Sequence, residues 1–147
     1  MATNTKNGFT LVELMVVIAV IAVLASVSIQ MFQKYTIRSN RTDVQTTMTQ
    51  IAQKLASYKM INNNYNVALS NSVIYGGTVS PLRGVAQYDL SLDTTTTDGA
   101  WTLTATPKAG TKQANDGAVL LNDQGWRCWT KTTVACTLSA TSVWNTK

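Results

Sequence analysis

The stretch Gly8-Phe9-Thr10-Leu11-Val12-Glu13-Leu14-Met15-Val16-Val17-Ile18-Ala19-Val20-Ile21-Ala22-Val23-Leu24-Ala25-Ser26-Val27-Ser28-Ile29 decides how the rest of the chain is read. From Leu14 to Gln33 twenty residues pass without a charge. A helix of about that length crosses the hydrocarbon core of a bilayer. One acid, Glu13, stands just before the run, and a glycine followed by a phenylalanine stands before that. A carboxylate beside a membrane segment is costly and is kept where it has a task. An ordinary single-span anchor accounts for the hydrophobicity, but not for Gly8-Phe9 or Glu13.

Outward from this stretch, Met1 to Gly8 is short and polar, with Lys6 as its only charge. A secretory signal would place a small-residue cleavage site after the apolar run. Here the run passes directly into Gln30-Met31-Phe32-Gln33-Lys34, so the segment reads as retained. Lys34, Arg38 and Arg41 flank it on the far side. The flank charges alone would leave the C-terminal part in the cytoplasm.

The 147 residues suit one domain plus an anchor. Twelve cationic residues against seven acids give a net charge of +5. That balance suits an acidic partner such as nucleic acid or anionic lipid, and equally a solvated surface. The chain has no histidine, which removes His-based general-base chemistry and most transition-metal sites. Neither a nucleophile elbow nor a phosphate loop is present, so an enzyme is not expected, and no cofactor is implied. Cys128 and Cys136 are either a tight disulfide or two thiols, since their spacing does not suit a zinc knuckle. A translocated domain would favour the disulfide, which is the opposite of the topology that the flank charges imply.

Lys6-Asn7-Gly8-Phe9-Thr10-Leu11-Val12-Glu13 resembles the leader and cleavage motif of type IV pilins. The resemblance covers the leader and the whole apolar helix. It implies that a prepilin peptidase cuts between Gly8 and Phe9 and that Phe9 becomes N-methylated. Residues 1–8 are then a removed leader, 9–33 the transmembrane and filament-core half of a helix, and 34–147 the globular domain. Losing Lys6 leaves eleven cations against seven acids, or +4. The resemblance also implies a periplasmic C-terminal domain on a single inner-membrane span before assembly and a cell-surface pilus after it. That overrides the flank charges and makes the Cys128–Cys136 bridge the expected state. Implied partners are other pilins, major and minor, the peptidase, the inner-membrane assembly platform and membrane lipid. Glu13 is then a docking group: among packed apolar helices it pairs with the N-terminal amine of a neighbouring subunit's Phe9. Many pilins carry a glycine and a proline where this chain has Ala22 and Gln30, so a straighter helix is expected.

The helical pattern continues beyond the apolar run. Ile37, Val44, Met48, Ile51, Leu55 and Tyr58 recur at helical spacing and form one apolar stripe. Asn62-Asn63-Asn64 closes it. One helix from about Phe9 to Ile61 would be roughly 80 Å long at 1.5 Å per residue. Tyr65 to Gly84 reads as irregular, with Gly76-Gly77 and Pro81 as breakers. Four strands are predicted: Gln87–Leu92, Ala100–Thr106 stopped by Pro107, Ala118–Asn122 and Trp126–Lys131. The fold class is therefore α+β: a long N-terminal helix packed on a four-stranded antiparallel sheet, as in the type IV pilin fold.

Asp93 and Asp98 flank four threonines, but they lack the ligand pattern of a calcium loop, and a solvated hairpin turn is expected. Arg38-Ser39-Asn40-Arg41-Thr42-Asp43-Val44-Gln45 and the runs Trp101–Lys108, Asn115–Gly117 and Leu120–Gly125 resemble PilE-like minor pilins. Trp129 and Trp144 are expected to cover the end of the sheet. Lys108, Lys112, Arg127 and Lys131, with Lys147, would form a basic face near tryptophans if folded together. That composition suits DNA backbone contacts plus base stacking. The sequence thus reads as a minor pilin, with a major pilin, a DNA-uptake receptor and a type II secretion pseudopilin as rivals.

Overall fold

The structure is a computed structural model that describes residues 8–95, 99–131 and 136–144. The chain falls into two compact units, residues 1–36 and 37–147. A single helix, α1 (Leu11–Asn62), contributes to both. It is unbroken at Ala22 and Gln30. The hydroxyls of Ser26 and Ser28 donate back to the carbonyls of Val23 and Leu24, which leaves the backbone ladder intact. The helix stops where expected: Asn63 turns into the left-handed region at φ 57° and its N–H donates to the Lys59 carbonyl at 2.7 Å. Asparagine tolerates that conformation better than other side-chain-bearing residues.

In the first unit the helix is apolar all round, and from Leu11 to Tyr35 every residue is exposed. A helix of this kind belongs in lipid or among other apolar helices.

The second unit is built on the predicted stripe. Val44, Met48, Ile51 and Leu55 are buried, and Tyr58 packs at the margin of the core. They face an antiparallel sheet of five strands in sequential order: β1 (Val79–Ser80), β2 (Tyr88–Thr95), β3 (Ala100–Pro107), β4 (Val119–Asn122) and β5 (Arg127–Trp129). The sheet thus has one strand more than predicted. The extra strand is two residues long, pairs with Tyr88 and Asp89, and is too short to show a period of two. β2 also runs on to Thr95, because its polar end pairs with Ala100–Thr102 of β3 instead of turning at Asp93. β5 is shorter than predicted and ends at Trp129.

Alternation places Tyr88, Leu90, Trp101, Leu103, Ala105, Val119, Leu121 and Trp129 in the core. Asp89, Ser91, Asp93, Thr102, Thr104 and Thr106 take the other face. The irregular connection after α1 supplies core residues as well: Leu69 and Ile74 are buried, and Tyr65 meets Trp101 edge to face with ring centroids 6.4 Å apart. A disulfide joins Cys128 to Cys136. Residues of 136–144 return over β4, where the Trp144 indole donates to the Leu120 carbonyl at 2.9 Å.

Candidate functional site

Two places carry the expected functional residues. The first is the start of α1. Thr10 is its N-cap and Glu13 its third residue, and the two form a reciprocal capping box. The Thr10 N–H and hydroxyl donate to Glu13 Oε2 at 2.9 and 2.8 Å, and the Glu13 N–H donates to Thr10 Oγ1 at 3.2 Å. In the single chain one oxygen of the carboxylate, Oε2, is thus engaged by its own helix start. Phe9 precedes the cap and is 86% exposed. A Cβ added at Gly8 would meet nothing within 4 Å. The remaining leader residues, 1–7, lie outside the described residues.

The second place is the end of the sheet where β2 begins and β3 and β5 finish. The loop from Lys108 to Gly117 follows β3 and carries Gln113 and Asp116, both buried. Arg41 on α1 forms a two-pronged ion pair with Asp116, its Nε 2.7 Å from Oδ2 and its Nη2 against Oδ1. The Tyr88 hydroxyl donates to Asp116 Oδ2 at 3.1 Å and accepts from Gln113 Nε2 at 2.6 Å. Gln113 Nε2 also lies 2.7 Å from Asp116 Oδ2 and 3.2 Å from the Ile37 carbonyl, and Asn40 donates to Gln113 Oε1 at 3.3 Å. The Arg41 guanidinium stacks 3.4 Å from the ring centre of Trp129, whose indole N–H donates to the Asp116 carbonyl at 2.8 Å. Four elements are thereby joined at one residue, Asp116: α1 and β2 through its carboxylate, the loop that carries it, and β5 through its backbone carbonyl. A two-pronged arginine pair is the stronger form of such a contact.

Gly117 closes the loop. Its φ of +81° suits glycine, and an added Cβ would collide with the carbonyl of Thr130. The loop end therefore lies directly against the backbone leading to Lys131.

The four sequence-predicted DNA contacts divide. Lys112 and Lys131 are exposed and come to this end of the sheet. Lys108 is there too, but its Nζ pairs with Asp89 at 3.0 Å on the outer face. Arg127 is at the far end of β5, opposite Leu121, with its guanidinium 4.9 Å from the Trp144 ring centre. Arg38, which is not among the predicted contacts, is exposed and follows Ile37, whose carbonyl Gln113 holds. Among the described residues the two ion pairs are Arg41–Asp116 and Lys108–Asp89, which leaves Arg38, Lys112 and Lys131 outside them. Lys147 and Asp98 lie outside the described residues, and Asp93 sits in β2 opposite Thr102 instead of in a loop. The two tryptophans do cover the sheet, Trp129 from the core side and Trp144 across β4.

Burial, reinforced by the negative Asp116 beside it, pushes the Tyr88 hydroxyl well above the ordinary tyrosine range. The folded chain then holds this proton more tightly than the unfolded chain. Its contribution to stability is fully present below about pH 10 and is lost as the pH rises above that. Alkaline denaturation should therefore be less steep in Tyr88→Phe than in the parent chain, as read by chemical unfolding at pH 8, 10 and 11.

Residues 31–130 match the family model described as type IV minor pilin ComP, DNA uptake sequence receptor. Residues 3–29 match the prokaryotic N-terminal methylation motif. A fimbrial protein of Pseudomonas aeruginosa is 29% identical over 140 residues, covering 85% of this chain and 86% of its own length. A probable minor fimbrial protein of Dichelobacter nodosus is 50% identical over 38 residues, 26% of this chain and 24% of its own. Among solved structures, the Neisseria meningitidis non-core minor pilin PilV is similar in fold, with a TM-score of 0.51 and 22% identity over 69% of this chain and 94% of that one.

Proposed function

We propose that this chain, which belongs to the type IV minor pilin family of ComP, the DNA uptake sequence receptor, works as a pilus subunit that binds DNA. A minor pilin is a membrane-anchored structural subunit that assembles with other pilins into a surface fibre, and this is not a known enzyme class. In this chain the leader of residues 1–8 is removed between Gly8 and Phe9, and Phe9 is methylated. Residues 9–33 hold the subunit in the inner membrane, with residues 34–147 in the periplasm, until the assembly platform passes it into the fibre. Glu13 then docks on the amine of a neighbouring Phe9. The N-terminal methylation motif over residues 3–29 supports this part of the reading.

The observation that carries the DNA part is that Arg38, Lys112 and Lys131, all exposed and outside the ion pairs among the described residues, come to one end of the sheet. They lie within or one residue beyond the segment matched by the ComP model. Phosphate contacts made by such groups release counterions, so binding falls steeply with salt. Three contacts on duplex DNA would give a slope of about −2.7 in log affinity against log salt, or about a fortyfold loss between 50 and 200 mM. Retention of the full chain, held in non-ionic detergent, on random duplex DNA across that series tests the reading. Absence of binding at the lowest salt, where attraction is strongest, would remove it.

A further inference from the structure

We propose that Asp116 and Gln113 are positioning residues for the DNA contact: from beneath the 108–117 loop they set where Arg38, Lys112 and Lys131 begin relative to one another. The inference rests on the DNA reading above and adds how that face is held in register.

Between β3 and β4 the loop is neither helix nor strand. Its internal bonds are short turns, Thr111 N–H to the Lys108 carbonyl, Ala114 to Thr111 and Asp116 to Gln113. Turns of this kind shape a loop without attaching it to anything. At its start the Lys108 N–H donates to the Gln87 carbonyl, and at its end the Asp116 carbonyl accepts from Trp129; between them its attachment comes from the two buried side chains. Gln113 bonds to Ile37 and Asn40 of α1 and to Tyr88 of β2, while Asp116 holds Arg41 and Tyr88. Gly117 then rests on Thr130.

Each of the three exposed cations is next in sequence to one of these anchoring points. Arg38 follows Ile37, Lys112 precedes Gln113, and Lys131 follows Thr130. They come from three separate parts of the chain, and nothing local relates them. The buried network does, by fixing the backbone from which each side chain springs. A lysine stem is flexible, but a contact with a rigid phosphate lattice is made more readily when the stems start in register.

Net charge and positioning make opposite predictions. Asp116→Asn removes a negative charge, so attraction by net charge alone would tighten DNA binding. Positioning requires it to weaken, because the carboxylate that holds Arg41 and the loop is gone. Gln113→Met leaves the charge unchanged and removes the bonds to Ile37, Asn40 and Tyr88. Affinity for duplex DNA and its salt slope are measured for the full chain in detergent, at a temperature where the circular dichroism of each variant matches the parent. Both variants should bind about three- to tenfold more weakly at fixed salt, with a slope shallower by about one phosphate contact. If Asp116→Asn does not reach the parent spectrum, Gln113→Met decides. Affinity equal to or above the parent with an unchanged slope would overturn the positioning role and leave the DNA reading standing. A parent chain that fails to bind at the lowest salt would overturn both.

Discussion

A chain carrying a bulky residue such as Phe in place of Gly8 should accumulate uncut in the membrane fraction and be missing from sheared fibres. The expected effect is near-complete loss, read by mass spectrometry of the N-terminus and by immunoblot of the sheared fraction. The local structure makes the experiment clean. Nothing lies within 4 Å of a Cβ built at Gly8, and the helix does not begin until Leu11. A side chain there disturbs no packing, so failure to process would reflect recognition at the scissile bond. Normal cleavage of the variant would contradict the leader assignment. Glu13→Val separates the next step: this chain should be cut and methylated normally, yet enter fibres at a small fraction of the parent level. Equal amounts in fibres from both would show that the carboxylate does not guide docking.

The second large effect lies at the end of the sheet. Asp116→Ala leaves the Arg41 guanidinium, with only 16% of its side chain exposed, facing an empty site. It also takes the acceptor from the Tyr88 hydroxyl and one partner from Gln113. Breaking a buried ion pair from one side costs about 3–5 kcal/mol. For a unit of this size that corresponds to a fall in melting temperature on the order of 20 °C. Arg41→Met should cost as much, because it leaves the Asp116 carboxylate, 2% exposed, without its cation even though a methionine still packs on Trp129. A shift of only a degree or two for Asp116→Ala would show that the pair adds little to stability and that the apolar core alone holds these elements together. The double variant Arg41→Met with Asp116→Leu should recover much of the loss, since an apolar replacement of both partners removes the uncompensated charge.

Much of this architecture is legible in the sequence because its causes are local. The apolar run and the stripe from Val44 to Leu55 repeat at helical spacing, and three consecutive asparagines end the helix where they stand. Trp101, Leu103 and Ala105 alternate as an inner face should. The features that escape a sequence reading depend on partners distant in the chain. Arg41 and Asp116 are 75 residues apart, and Asn115-Asp116-Gly117 alone reads as an ordinary turn. Ile74 lies in a connection rich in breakers, and nothing nearby indicates that it plugs the core. Arg127 and Lys131 look like neighbours in sequence, but β5 separates them along the sheet, while Arg38 arrives from α1. One feature does have a local signal that treating Glu13 purely as an outward-facing docking group overlooks: Thr10 and Glu13 stand at the spacing of a capping box.

That capping box bears on the docking step proposed for Glu13. Glu13 does not wait with an idle charge; it already accepts two bonds from Thr10. Both bonds fall on Oε2, so in the proposed docking the amine of a neighbouring Phe9 would meet a carboxylate already oriented by the helix's own first turn. The net gain of that proposed docking is the new ion pair less any Thr10 bond that it displaces. In the proposed docking the exposed apolar surface from Leu14 to Phe32 would drive association, while Glu13 would select among registers of nearly equal burial.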